Sequence, residues 1–179
     1  MKNKVFCIGT LKTGTTSIGR ALAQLGYRHT SFNKDLLAEY KAGNTQRLLE
    51  FARDYEAFDD WPWAIADFYR DLDRAFPGSK FIYTDRALIP WAKSHYRYFY
   101  ANPDWPHGDE STFDDQFPDT IMLRRNRKRR ILEYFKDRPG DLLVIDVTAG
   151  EGWDKLCPFL GIEPLTVDFP HANKTADRG

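Results

Sequence analysis

The feature that most constrains this chain is Gly9-Thr10-Leu11-Lys12-Thr13-Gly14-Thr15-Thr16-Ser17. It lies between a short apolar run, Lys4 to Gly9, that reads as a buried strand, and a segment from about Thr16 to Leu25 whose apolar residues Ile18, Ala21, Leu22 and Leu25 have helical spacing. Gly26 then stops that helix. A strand, a glycine-containing turn and a helix in succession form the first half of a βαβ unit. Such a turn presents backbone N–H groups and the positive end of a helix dipole to an anion; Lys12 adds a full charge, and Thr13, Thr15, Thr16 and Ser17 add hydroxyl donors. Helix capping alone needs fewer donors than this. The turn reads as a site for a phosphate ester.

The rest of the chain repeats the strand-then-helix order. A mostly helical stretch at about Asn33 to Asp54 precedes a second strand at Tyr55 to Asp60, and Pro62 is expected to open a helix running to about Phe76. Pro77-Gly78 turns into a strand at Lys80 to Thr84, followed by a helix at about Ile89 to Tyr100. Residues 101 to 118, with three prolines, Gly108 and mixed acidic and aromatic residues, read as a long loop or lid. A basic helix at about Asp119 to Lys136, a strand at Leu142 to Ile145 and a short helix at Trp153 to Leu160 complete the pattern. The expected fold class is α/β: a single three-layer, P-loop-like domain with a central parallel sheet flanked by helices.

Charge excludes one broad function. Lys plus Arg equals Asp plus Glu at 26 each, so no global field attracts nucleic acid, and any bound anion must be held locally. The run Arg124, Arg125, Arg127, Lys128, Arg129, Arg130 spreads around a helix and reads as a solvated face from which one member could still reach a cofactor. Cys7 and Cys157 sit in apolar stretches and read as buried thiols. The opening Met1-Lys2-Asn3-Lys4 leads into too short an apolar run for a signal peptide or a membrane span, so a cytoplasmic protein without a membrane span is expected.

An NTPase loop places lysine directly after the second glycine, whereas here Thr15 follows Gly14 and the lysine precedes it. Instead, Lys12-Thr13-Gly14-Thr15-Thr16-Ser17 resembles the 5′-phosphosulfate loop of sulfotransferases that use 3′-phosphoadenosine 5′-phosphosulfate (PAPS). In that family a strand-ending Arg and a Ser eight residues later hold the cofactor's 3′-phosphate, and Arg86 and Ser94 have this spacing. The likeness extends through Asp60-Trp61-Pro62, Phe76-Pro77-Gly78-Ser79-Lys80, Trp91 and Phe159-Leu160-Gly161-Ile162, and is closest to the small bacterial members. In larger relatives a basic C-terminal loop covers the 3′-phosphate; His171, Asn173 and Lys174 occupy a similar place.

The resemblance implies PAPS as donor, 3′-phosphoadenosine 5′-phosphate (PAP) as product, a small-molecule acceptor, and no metal. Lys12 would stabilise the leaving phosphate. For the base, Asp60 ends the second strand at the edge where open α/β sheets bind ligands, and Trp61-Pro62-Trp63 would desolvate it. The family uses His or Glu, so Asp is a departure; Asp59 and His29 are the alternatives, and capping a helix before Pro62 is the structural role open to Asp60. Trp61, Trp63, Phe68, Tyr69, Trp91, Tyr96 and Trp105 fill the core, line a pocket for an aromatic acceptor, or stack on the cofactor's adenine. Two other functions fit the turn: a kinase-like phosphotransferase with a degenerate loop, and a nucleotide-binding module without catalytic power.

Overall fold

The computed structural model describes residues 3–100 and 110–172, the stretch 110–116 as backbone only. Five strands, β1 (Val5–Cys7), β2 (His29–Thr30), β3 (Ala57–Phe58), β4 (Lys80–Thr84) and β5 (Leu142–Ile145), form one all-parallel sheet in the order β2-β3-β1-β4-β5. Seven α-helices are described: α1 (Thr15–Gln24), α2 (Lys34–Lys41), α3 (Thr45–Ala52), α4 (Tyr69–Ala75), α5 (Leu88–Phe99), α6 (Glu110–Tyr134) and α7 (Trp153–Leu160).

Strand alternation divides the core into two layers. Phe6, Ile8, Phe58, Phe81 and Tyr83 face one side, where Leu48 and Ala52 of α3, Tyr69 and Leu72 of α4, and Ile131 and Phe135 cover them. Phe6 stacks on both Phe58 and Phe81, at 4.5 and 5.5 Å between ring centres. Val5, Cys7, Ala57, Ile82 and Ile145 face the other side under α1 and α7, and both cysteines are free and buried as expected. The result is the three-layer α/β fold. With β3 on one flank of β1 and β4 on the other, the chain reverses direction across the sheet at β1, so a crevice opens beyond the carboxyl end of that strand.

Helix ends follow local chemistry. Gly26 (φ 75°) closes α1 with Tyr27 N–H donating to Leu22 O and Gly26 N–H to Ala23 O, and Gly161 (φ 69°) closes α7 with the same paired bonds to Cys157 and Pro158. Asn33 caps α2, its Oδ1 accepting from Leu36 N–H at 3.0 Å.

Three expectations need correction. β2 carries no recognisable sequence signal, being only His29 and Thr30, both half-buried. The helix expected from Pro62 is restricted to Tyr69–Ala75. Residues 61–68 form irregular turns because Asp60 (φ 63°) and Ala66 (φ 40°) are left-handed, and because the Arg127 guanidinium takes the carbonyls of Ala64 and Ala66. Of the loop expected over 101–118, the part from Glu110 is helix α6, with Pro118 inside it; 101–109 lies outside the described residues. Phe117 stacks on Trp91 at 5.9 Å, a tertiary anchor that offsets the hydrogen bond Pro118 cannot make.

Candidate active site

The crevice beyond β1 is filled by the glycine- and threonine-rich turn. Two glycines are required sterically: a Cβ on Gly9 would lie 1.8 Å from Thr84 Oγ1, and one on Gly14 (φ 98°) would lie 2.2 Å from Val147 Cγ2. Thr13 is fully buried, and its hydroxyl bonds Thr10 O and, at 2.6 Å, Thr84 Oγ1. Its side chain therefore braces the turn rather than facing a ligand. Ser17 is buried and accepts from Ala172 N–H at 3.0 Å, tying the far C-terminal segment to α1. Thr15 is buried and Thr16 half-buried. The backbone amides of Gly14, Thr15 and Thr16 meet no acceptor among the described residues, as befits the first turn of a helix. Those donors fit a phosphate or sulfonate oxygen.

On the β4 flank, two side chains hold the turn from outside and a third, Arg124, braces them. Arg86 Nη1 donates to Lys12 O at 3.0 Å, and Trp91 Nε1 donates to Leu11 O at 3.0 Å. Arg124 stacks over Trp91 at 4.6 Å, donates to Arg86 O, and pairs with Asp85 at 3.0 Å. Ser94 lies one turn beyond Trp91 on the same face of α5, half-buried. Lys12 Nζ sits over the Tyr98 ring at 4.3 Å. Arg86 Nε and Thr10 Oγ1 are buried with no hydrogen-bond partner among the described residues, two orphaned polar atoms beside the turn. Both fit an anionic ligand with several oxygens.

The β3 flank is acidic. Asp59, 1% exposed, accepts from His29 Nε2 at 2.6 Å, and this pair packs against α1 where a Cβ on Gly19 would come within 2.7 Å of His29 Nε2 and 2.9 Å of Asp59 Oδ1. His29 is thus engaged under the helix. Asp60 is half-buried beside it, its Oδ1 accepting from Trp61 N–H at 2.7 Å. Burial raises the Asp60 pKa above the ordinary carboxylate value, and the neighbouring Asp59 charge adds to the rise. The helix-capping role for Asp60 falls away, because α4 starts nine residues later. Among the described residues three non-glycine positions have positive φ: Lys12, Asp60 and Ala66. Two of these are the candidate catalytic groups, and backbone strain of this kind concentrates at functional sites.

Several contributors carried no sequence signal. Arg127, expected in a solvated face, is buried and donates to Ile8 O (3.0 Å), Ala64 O (2.8 Å) and Ala66 O, joining the end of β1 to the 61–68 turns. His95 packs among Trp91, Phe99 and Phe117; burial, then the Lys12 charge, push its pKa down to about 4. It is a neutral imidazole near Lys12 at pH 7. Of the aromatic set, Trp63, Phe68 and Tyr69 belong to the core, Trp61 is exposed, and Trp105 lies outside the described residues. His171 is exposed at the end of the described chain, and Asn173 and Lys174 fall beyond it.

Comparison with known families agrees with this arrangement. The family model described as a sulfotransferase domain matches residues 4–116 and 108–178. These spans take in nearly the whole chain, which belongs to the sulfotransferase domain family and is a transferase of sulfonate groups. No curated protein matched. No helix among the described residues is long and apolar enough to cross a membrane.

Proposed function

We propose that this single-domain protein transfers the sulfonate group of PAPS to a hydroxyl or amine of a small acceptor, with PAP as the other product. The observation that carries the reading is the contact between the two predicted ends of the nucleotide site: Arg86 Nη1 donates to the carbonyl of Lys12 itself. A strand-ending arginine that reaches the phosphate turn is positioned to share with it one nucleotide bearing two phosphate groups.

The amides of Gly14, Thr15 and Thr16 and the Lys12 ammonium hold the 5′-phosphate, while Arg86 and Ser94 hold the 3′-phosphate. PAPS supplies a sulfonate on a good leaving group. Asp60 accepts the acceptor's proton as the new bond to sulfur forms, and the bond from sulfur to the phosphate oxygen breaks with its electron pair left on PAP, where Lys12 balances the charge. Asp60 is favoured over His29 because its carboxylate has no ion-pair partner among the described residues and a raised pKa, whereas His29 is bonded to buried Asp59. Thr13 and Ser17 act by shaping the turn and anchoring residue 172. The absence of a lysine after Gly14 argues against the kinase-like alternative.

Thermal denaturation with PAP and, separately, with ATP and Mg²⁺ tests this. PAP is expected to raise the Tm well above the ATP–Mg²⁺ value, and a shift with ATP–Mg²⁺ alone would overturn the assignment. Turnover of PAPS on a panel of phenols, alcohols and amines separates the enzyme from a silent nucleotide-binding module.

A further inference from the structure

A cavity of about 770 Å³ lies between the start of α5 and the second half of α6. Its charge is unlike that of the chain, whose cations and anions balance at 26 each. Five cationic side chains line it, Arg86, Arg124, Arg125, Lys128 and Arg129, against the carboxylates of Asp85 and Glu133. Both carboxylates are already committed: Asp85 to Arg124 and Lys128, and Glu133 to Lys136 at 2.7 Å.

Arg125 and Arg129 therefore have no carboxylate partner among the described residues. They stand one turn apart on α6, so both guanidinium groups can meet one anionic group. Arg124, also in the lining, has a side chain only 10% exposed, with a buried Nε that has no hydrogen-bond partner among the described residues. Leu88 and Leu132, 43% and 41% exposed, give the same cavity an apolar wall. A merely solvated basic face would not gather exposed leucines and a nine-tenths buried arginine around one concavity of ligand size.

We propose that this cavity is a second anion site, separate from the phosphate turn, that binds a small organic anion with an apolar body and a phosphate, sulfate or carboxylate group. Arg125 and Arg129 hold the anionic group, and Leu88 and Leu132 pack on the body. The proposal does not depend on PAPS being the donor. Because Arg86 lines the cavity and also bonds the phosphate turn, the two sites share one side chain.

The test is isothermal titration of phenyl phosphate, with phenol as control, into the PAP-saturated protein and into an Arg125→Ala/Arg129→Ala variant, whose two positions are exposed and outside the core. One-to-one binding of phenyl phosphate and not phenol, weakened tenfold or more in the variant with the Kd for PAP unchanged, is the expected result. Absence of binding, or undiminished binding in the variant, overturns the proposal. A tenfold loss of PAP affinity in the variant also overturns it, by making the cavity part of the nucleotide site. If the wild-type protein binds no PAP, the donor assignment fails by itself. Phenyl phosphate is then titrated into the free protein, where the same loss in the variant sustains the second site and its absence ends it.

Discussion

The two flanks of β1 are built from opposite materials. On the β4 side, Arg86 and Trp91 grip the phosphate turn through its carbonyl oxygens and Arg124 braces both by stacking on Trp91 and bonding Arg86 O, leaving a cationic, heavily bonded wall. On the β3 side, Asp59, Asp60 and His29 stand together, with one carboxylate buried and engaged and the other desolvated and without an ion-pair partner among the described residues. Group transfer needs this division: one wall fixes and neutralises the leaving group, and the other removes a proton. The contrast teaches that the β4 wall spends its donors on backbone carbonyls, while the β3 wall leaves one acid costly to ionise.

Breaking the β3 wall should have the largest effect. Asp60→Asn is expected to lower turnover by about 10²- to 10⁴-fold with the Kd for PAP unchanged; steady-state kinetics with PAP titration checks this. The same group sets a pH dependence. The folded-state pKa of Asp60 is raised, so its stabilising contribution is complete below the unfolded-state pKa and is lost as pH rises through the folded one. In the proposed role of Asp60 as base, activity needs the ionised form and is expected to fall as pH drops through the raised pKa. Asp60→Asn should therefore be more stable than wild type at pH 7, and the two should converge at pH 3.

The β4 wall responds in stability first. Gly9→Ala drives a methyl into Thr84 and should cost about 1–3 kcal/mol, read by urea denaturation, with loss of PAP binding as the turn shifts. Gly19→Ala, its counterpart on the β3 side, meets side-chain atoms that can yield more easily and should cost about 1 kcal/mol, disturbing the His29–Asp59 pair. Trp91→Phe keeps the stacking surface but removes the bond to Leu11 O. It should cost about 0.5–1.5 kcal/mol, with a modest rise in the Kd for PAP.

The same contrast governs what could be read from sequence. The β1-turn-α1 unit was legible because periodicity, glycines and donors all fall within contiguous residues. Arg86 and Ser94 were singled out through the family resemblance and Asp60 through its place after a strand; the structure brings Arg86 to the turn and sets Ser94 one helical turn beyond Trp91. Asp60 and Lys12 do share an unusual backbone conformation, which no residue type announces. Trp91, Arg124 and Arg127 stayed hidden because each acts on a carbonyl or ring brought near by folding, some 60 to 120 residues away in several cases. The 61–68 turns were misread as helix because the force that holds them, the Arg127 guanidinium, comes from another element. Pro118 misled in the other direction, since the ring stacking that anchors α6 is likewise long-range.

The central claim is that one nucleotide is gripped at two phosphates, and it can be measured by comparing PAP with adenosine 5′-monophosphate, which lacks the 3′-phosphate. Wild type should prefer PAP by at least tenfold in isothermal titration. Ser94→Ala and Arg86→Ala should erode that preference, the arginine change nearly abolishing it, while affinity for the monophosphate stays near its wild-type value in Ser94→Ala. Equal affinity of the wild-type protein for the two nucleotides, or an unchanged preference in both variants, would contradict the two-ended grip.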